Sequence, residues 1–483
     1  MDLALSLDRT CAVPLYQQLA EELRQAVLQK RLKPNQKLPP SRVLAQSLEI
    51  SRVTVTQSYD QLVSEGYLET RQGAGTFVCN QLPETYLQAE AIEQDTAVST
   101  MPTQLSRLGM ELLKVQQLEG PQPQHAINFR YGNPATDLFP LTLWRRLLAR
   151  HCRTSSTGLN YSSDAAGYLP LRQAIADYLG RSRAVQCRPE QVIIVNGSQQ
   201  ALDIIARLTL DAEDWVAMED PGYLGARYCF AGRANLQPIP VDAAGLDVEA
   251  LSQYSQPFKL LYVTPSHQFP TGVTLSLPRR LALLQWAQQT GTLILEDDYD
   301  GEYRYGDRPI PALQGLDCNH TVIYVGTFSK ILFPALRLGY LVVPKDWIPL
   351  VSRTKWLCDR QSPLLEQYAL ADFFAEGHFE RHIRRMRHFY NQRRQVLVNA
   401  LKDQFGDRVM ILGENAGIHL MVKFETTLSD EDVIQQAASV DVGVISAQGY
   451  YLTAPKTGKF IFGYAQLSEA QIEQGIQALA RVL

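Results

Sequence analysis

Long apolar runs are missing from these 483 residues. Strand candidates such as Val192-Ile193-Ile194-Val195 stop far short of the ~18 residues a transmembrane helix needs, so no membrane partner is expected. The opening stretch MDLALSLDRTCAVPLYQQ has no basic leader and carries Asp2 and Asp8, so no secretory signal is expected. Cysteine is sparse: seven, an odd number, scattered and never as CxxC. That usage argues against a disulfide framework and against a zinc site, no metal is expected, and it fits a reducing cytoplasm. Excess charge of either sign is also lacking, with 46 basic and 50 acidic side chains. The composition, 45% hydrophobic and 20% charged, excludes a chain disordered throughout. At the usual domain size of about 100–200 residues, the length calls for more than one unit.

What is present is unevenly placed. Residues 24–56 hold seven Lys or Arg against one acid, Glu49, a local +6 on a chain whose net charge is −4. Such a patch is the footprint that phosphate binding needs, although charge alone fits a solvated face as well. Residues 81–125 hold six acids, two bases, eight glutamines and the tail GPQPQ, and read as a linker with a short helix around Leu105–Leu118. From 126 to 483 strands alternate with helices, the pattern of a mainly parallel α/β sheet with a smaller α+β C-terminal part.

Within residues 1–80, Leu15, Leu19, Leu23 and Val27 recur at i, i+4 and predict a helix over Leu15–Lys30. Pro34 and Pro39-Pro40 interrupt it, Ser41 is placed to cap a second helix, Arg42–Leu48, and Ser51 to cap a third. The third buries Val55, Tyr59, Leu62 and Val63 and ends at Gly66; YLETR-QGAG-TFV then reads as a hairpin. Three helices and a two-stranded wing make a winged helix-turn-helix. Arg52, Thr54 and Thr56 are the candidate base readers, since Arg pairs bidentately with guanine and Thr reaches a base edge or a thymine methyl. Arg42 and Lys37 are candidate phosphate contacts, Ser51 is counted with them as a candidate DNA contact, and the tip Gly73-Ala74-Gly75 is small enough to approach a DNA backbone. The succession Pro-Leu-Tyr…Leu-Pro-Pro-Ser-Arg…Ser-Arg-x-Thr-Val…Leu-x-x-Glu-Gly-Tyr-Leu…Gly-x-Gly-Thr-Phe-Val resembles the DNA-binding domain of GntR-type bacterial regulators over residues 12–79.

The second half carries Thr327-Phe328-Ser329-Lys330 after the strand candidate Thr321–Val325. A lysine held just past a strand end is the kind that forms a Schiff base with an aldehyde cofactor, while Thr327, Ser329 and Arg337 suit a phosphate. Leu293–Glu296 runs into Asp297-Asp298-Tyr299, and alternation puts Asp297 and Tyr299 on one face. A carboxylate there can hold a pyridine nitrogen protonated, with the phenol on a neighbouring ring oxygen. Asn196-Gly197-Ser198-Gln199 lies between a strand and the helix Gln200–Leu208, an anion-binding arrangement. Tyr223, after the strand Trp215–Glu219, can cover a flat ring, and PSHQFPTG forms a loop after the strand Lys259–Thr264.

In this order the five pieces resemble fold-type I aminotransferases over residues 127–483. The resemblance implies pyridoxal 5'-phosphate as cofactor, held covalently by Lys330, with Asp297 at the ring nitrogen, Tyr299 at the 3-oxygen and Tyr223 on the ring. It assigns the phosphate to Ser198, Gln199, Thr327, Ser329 and Arg337, and it matches Tyr161 to the tyrosine such homodimers lend across their interface. His267 falls near the place of a ring-contacting asparagine. A GntR-like reader joined to such a domain resembles the MocR regulators as a whole, which implies a transcription factor on double-stranded operator DNA. The implied effector is pyridoxal phosphate itself or an amino compound, and the implied assembly is a head-to-tail exchanged homodimer. One departure stands out: Ile461, in KFIFGY, occupies the place of the substrate-carboxylate arginine, with Lys459 as a possible substitute. The domain is therefore expected to sense rather than to turn over, residual half-reactions aside; a metabolic aminotransferase is the alternative, and a purely structural module a distant third.

Overall fold

A computed structural model describes residues 7–9, 11, 13–80, 105–113, 125–154, 160–162, 164–306, 310–453 and 456–483. The chain divides into two units, Met1–Thr103 and Gln104–Leu483, with the break inside the expected linker.

In the first unit, α1 (Leu15–Leu28), α2 (Ser41–Ser47) and α3 (Arg52–Ser64) precede a hairpin of β1 (Leu68–Arg71) and β2 (Gly75–Val78). Leu19, Leu23 and Val27 of α1 pack with Val55, Tyr59 and Leu62 of α3 and with Leu44, Leu68 and Val78. The i, i+4 stripe is thus the seam that closes this small core. Ser51 caps α3 as expected, its hydroxyl accepting the N–H of Thr54 at 3.1 Å. Ser41 does not cap α2. The helix starts at Ser41 behind Pro40, because proline pre-sets the backbone at a helix start and needs no amide partner there.

The expected linker is not linker throughout. In α4 (Arg107–Leu113), Arg107 donates to the carbonyls of Ala212 and Ala234, and Leu108 packs so closely on Gly232 that no Cβ fits there. This short helix therefore belongs to the second unit. Leu118, the expected end of that helix, lies outside the described residues.

An eight-stranded sheet forms the centre of the second unit. Its strands are β3 (Val192–Val195), β4 (Trp215–Asp220), β5 (Asn235–Asp242), β6 (Gly245–Leu246), β7 (Leu260–Val263), β8 (Leu293–Asp298), β9 (Val322–Thr327) and β10 (Gly339–Val342), in the order β3-β10-β9-β8-β7-β4-β5-β6. β5, β4, β7, β8 and β9 run parallel; β10 is antiparallel to both neighbours and β6 to β5. β3, β7 and β9 are buried along their whole length, as expected of strands covered on both faces. Among the flanking helices are α5 (Ser198–Thr209), directly after β3, and α6 (Ile348–Asp359). The C-terminal part packs α7 (His378–Phe405) and α8 (Glu469–Ala480) on a four-stranded sheet of β11 (Val409–Leu412), β12 (His419–Phe424), β13 (Ile445–Ser446) and β14 (Lys459–Gly463), order β11-β12-β14-β13. No helix among the described residues is long and apolar enough to cross a membrane.

Candidate functional site

The C-terminal ends of β3, β4, β7, β8 and β9 converge on one cavity of about 180 Å³. Ligands bind at these ends in such sheets because the loops leaving them diverge and open a crevice. Lys330, Asp297, Tyr299, Tyr223, Ser198, Gln199, Thr327, Ser329 and Arg337 all line it, although they come from five separate stretches of chain. The Lys330 amine donates to the Gly132 carbonyl at 2.6 Å. Residue 132 must be glycine: its φ is +93°, and a Cβ there would sit 3.3 Å from that amine.

One end of the cavity is built for an anion. Gly197, at φ +90°, turns the chain from β3 into α5, so Ser198 and Gln199 lie at a helix N-terminus. Arg337 joins them, its guanidinium donating to the Asn196 carbonyl at 2.8 Å, and Thr327 and Ser329 complete the hydroxyl set.

Asp297 forms the other pole. Alternation holds: Asp298 points the opposite way, to Arg183 and to Tyr324 at 2.7 Å, while Asp297 faces the cavity. Burial pushes the Asp297 carboxyl up to about 7 against the pull of the Tyr262 hydroxyl, which donates to its Oδ2 at 2.9 Å. Oδ1 is buried with no hydrogen-bond partner. A buried orphan acceptor beside an amine and an anion cradle fits a cationic ring nitrogen on a phosphorylated ligand, so the residues present fit pyridoxal phosphate. Burial raises the Tyr299 phenol well above the usual tyrosine value, keeping it a donor, and it meets His267 Nδ1 at 3.0 Å. His267 is itself paired with Asp300 at 2.9 Å. The histidine does not line the cavity. Phe269, two residues on, does, in an edge-to-face contact with Tyr223 at 5.9 Å.

The first unit presents a different surface. Arg42, Arg52, Thr56, Lys37 and the wing residues Gly73 to Gly75 are exposed. Lys37, Thr56, Gly73, Ala74 and Gly75 line one groove between α3 and the hairpin. Gly75, at φ +112°, leaves only 3.0 Å between a would-be Cβ and the Lys37 side chain, so the wing tip and that lysine pack directly. Ser51 and Thr54 bond to each other through their hydroxyls at 2.8 Å, and Thr56 bonds back to the Arg52 carbonyl at 3.0 Å, so all three hydroxyls also stabilise α3 itself.

Both units match described families. Residues 15–78 match the bacterial regulatory proteins of the gntR family, and residues 124–479 match aminotransferase class I and II. The chain is 40% identical over 476 residues to the probable rhizopine catabolism regulatory protein MocR of Rhizobium meliloti, covering 98% of this chain and 95% of that one. The chain belongs to the MocR-type transcriptional regulators. It is also 30% identical to the pyridoxine biosynthesis transcriptional regulator PdxR of Corynebacterium glutamicum, covering 97% and 96% of the two chains. Among solved structures, LysN, the alpha-aminoadipate aminotransferase of Thermus thermophilus, matches with a TM-score of 0.69 and 29% identity, over 79% of this chain and 95% of that one. The gntR domain implies DNA binding and the aminotransferase fold implies pyridoxal phosphate.

Three residues of this MocR-type chain singled out from the sequence stand apart from the cavity. Tyr161 is 79% exposed, with the Arg360 guanidinium 5.6 Å over its ring. Ile461 is fully buried on β14 among Phe269, Met421, Ala447 and Tyr450, and Lys459 donates to the Tyr451 hydroxyl at 3.0 Å instead of reaching the cavity. Several lining residues were not singled out from the sequence. Tyr131, Tyr262, Phe269 and His419 reach the cavity from strand and loop positions that look like ordinary core, and no local spacing signals them.

Proposed function

We propose that this regulator binds pyridoxal phosphate covalently through Lys330 and couples occupancy of that cavity to operator binding. The observation that carries the reading is the lone Asp297 oxygen, buried and unpartnered, in the same cavity as Lys330 and the Arg337–Ser198 cradle. When bound, the cofactor supplies an aldehyde for amines and an electron-withdrawing ring. Around it, Ser198, Gln199, Thr327, Ser329 and Arg337 would hold the phosphate, and Asp297 would keep the ring nitrogen protonated. Tyr299 would donate to the 3-oxygen, with Tyr223 over the ring. Phe269 and Tyr131 supply aromatic walls that exclude water, and the Lys330 amine is the proton carrier at the reacting centre.

The effector is pyridoxal phosphate itself or an amino compound. Ile461 supports sensing over turnover, because a fully buried isoleucine offers no guanidinium to a substrate carboxylate. The complete lysine, aspartate and phosphate set favours a second reading, residual transamination half-reactions alongside regulation.

The protein acts in the cytoplasm as a homodimer, with Tyr161 reaching the neighbouring subunit's phosphate site and each reader exchanged head-to-tail onto the other subunit. The exposure of Tyr161 supports this. In the readers, Arg52 with Thr54 and Thr56 contacts bases, while Arg42, Lys37 and the wing tip Gly73–Gly75 hold the backbone. Ligand acts by its differential affinity for two reader arrangements, and operator DNA must change effector affinity by the same factor. Solution mass together with effector titrations, with and without operator, tests the scheme. A dimer with shifted effector affinity supports it, and a monomer or identical affinities would defeat it.

A further inference from the structure

The phosphate loop is braced from behind by a half-buried ion pair that the cavity chemistry leaves unused. Lys355, on α6, is fully buried, and burial pushes its ammonium below the ordinary lysine value. Asp359, one turn on, lies 2.5 Å from it through Oδ1. Such a pair contributes little net stability, because desolvation offsets most of the attraction. What it does is orient. The other oxygen, Oδ2, accepts from the Asn196 side chain at 2.5 Å and from the Gln200 side chain at 2.7 Å. Gln200 in turn accepts the backbone N–H of Asn196 at 2.8 Å, and Arg337 takes the Asn196 carbonyl at 2.8 Å. Asn196 is therefore tied by side chain, N–H and carbonyl, immediately before the positive-φ turn at Gly197 and the cradle residue Ser198.

We infer that Asp359, oriented by Lys355, is a positioning residue for a phosphate monoester. Through Asn196 and Gln200 it holds the turn that presents Ser198 and the first amides of α5 to the cavity, and so sets the preference for a phosphorylated over an unphosphorylated ligand. This rests on the reading of the cavity as a pyridoxal phosphate site. A carboxylate suits the task because two charge-assisted hydrogen bonds from amide groups on one oxygen leave those amides a single orientation. A brace serving stability alone would affect all ligands alike, and this separates the two roles.

The test is a pair of titrations of the full-length protein, with pyridoxal phosphate and with pyridoxal, followed by visible absorbance. The double variant Lys355→Met/Asp359→Leu removes both charges together, so no lone charge is left buried, and thermal unfolding without ligand checks its fold. Pyridoxal phosphate affinity is expected to fall about 10–100-fold while pyridoxal affinity holds. Gln200→Met removes one arm without touching a charge and keeps the test decisive if the double variant does not fold; it should show a smaller loss with the same discrimination. An unchanged pyridoxal phosphate affinity in a folded variant, or equal losses for both ligands, overturns the positioning role alone. A wild-type protein that binds no pyridoxal phosphate overturns the cavity reading and this role with it.

Discussion

The two units use charge in opposite ways. Arg42, Arg52 and Lys37 lie exposed on the helix-turn-helix unit, over a small core closed by three helices and a hairpin. In the aminotransferase-like unit Asp297, Glu219, Glu296 and Glu302 are all buried, and burial pushes each carboxyl up to about 7. Exposed cations act at long range, weaken with salt and cost little to keep. Of the buried carboxyls only Asp297 faces the cavity, while Glu219 and Glu296 accept hydrogen bonds from Thr264 and from the Leu313 and Gln314 amides, and all oppose folding whenever they ionise alone. One unit is thus suited to scanning a polyanion and the other to holding one small molecule, and five substitutions should separate these behaviours.

The largest effect is expected at Lys330. Lys330→Ala should abolish the visible absorbance of bound pyridoxal phosphate and any borohydride-reducible adduct, while the reader keeps its affinity for non-specific DNA. A reducible adduct surviving in that variant would place the chemistry on another lysine.

Next comes the pH response of the ligand-free protein. The folded pKa of Asp297 is raised above the unfolded value, so the native state binds more protons between about pH 4 and 7. Stability from this group is therefore present at low pH and lost as pH rises through about 7. Asp297→Asn should remove that loss, gaining of order 2–4 kcal/mol at pH 8 relative to wild type and little at pH 4. Denaturant midpoints at the two pH values measure it. A gain independent of pH would mean that the carboxyl is not strained.

In the reader, Arg52→Ala should cost about 1–3 kcal/mol of discrimination between operator and random DNA. Arg42→Ala should weaken both DNAs alike and reduce the salt slope by about one. Titrations at several salt concentrations distinguish these outcomes, and an unchanged specificity ratio for Arg52→Ala would remove it from the base-reading role. The smallest effect is structural: Ser51→Ala should lower the unfolding free energy of the reader by about 1 kcal/mol through loss of the α3 cap.

Legibility in the sequence followed the same division. The reader was nearly complete as a string, because α1 and α3 repeat their apolar residues at helical spacing and Ser51 and Gly75 mark ends and turns locally. The cavity was legible through motifs at strand ends, such as Thr327–Lys330 and Asp297–Tyr299, since alternation along β8 dictates which of Asp297 and Asp298 faces inward. His267 and Phe269 show where that logic stops. Both lie in one loop after β7, and which of them meets the cavity depends on Asp300 and Tyr299 drawing the histidine away.

By itself, then, the order of residues determined two units, a winged reader and a parallel sheet with a lysine at a strand end, because periodicity, caps and strand-end motifs act over a few residues. Only the tertiary structure decided that α4 belongs to the second unit, that Asp297 keeps an unpartnered oxygen, and that Lys355 and Asp359 brace a loop some 160 residues earlier in the chain (Asn196 and Asp359 are separated by 163 positions). Those facts depend on which side chains are excluded from water together. No local spacing encodes that, because burial is a property of neighbours brought from elsewhere in the chain.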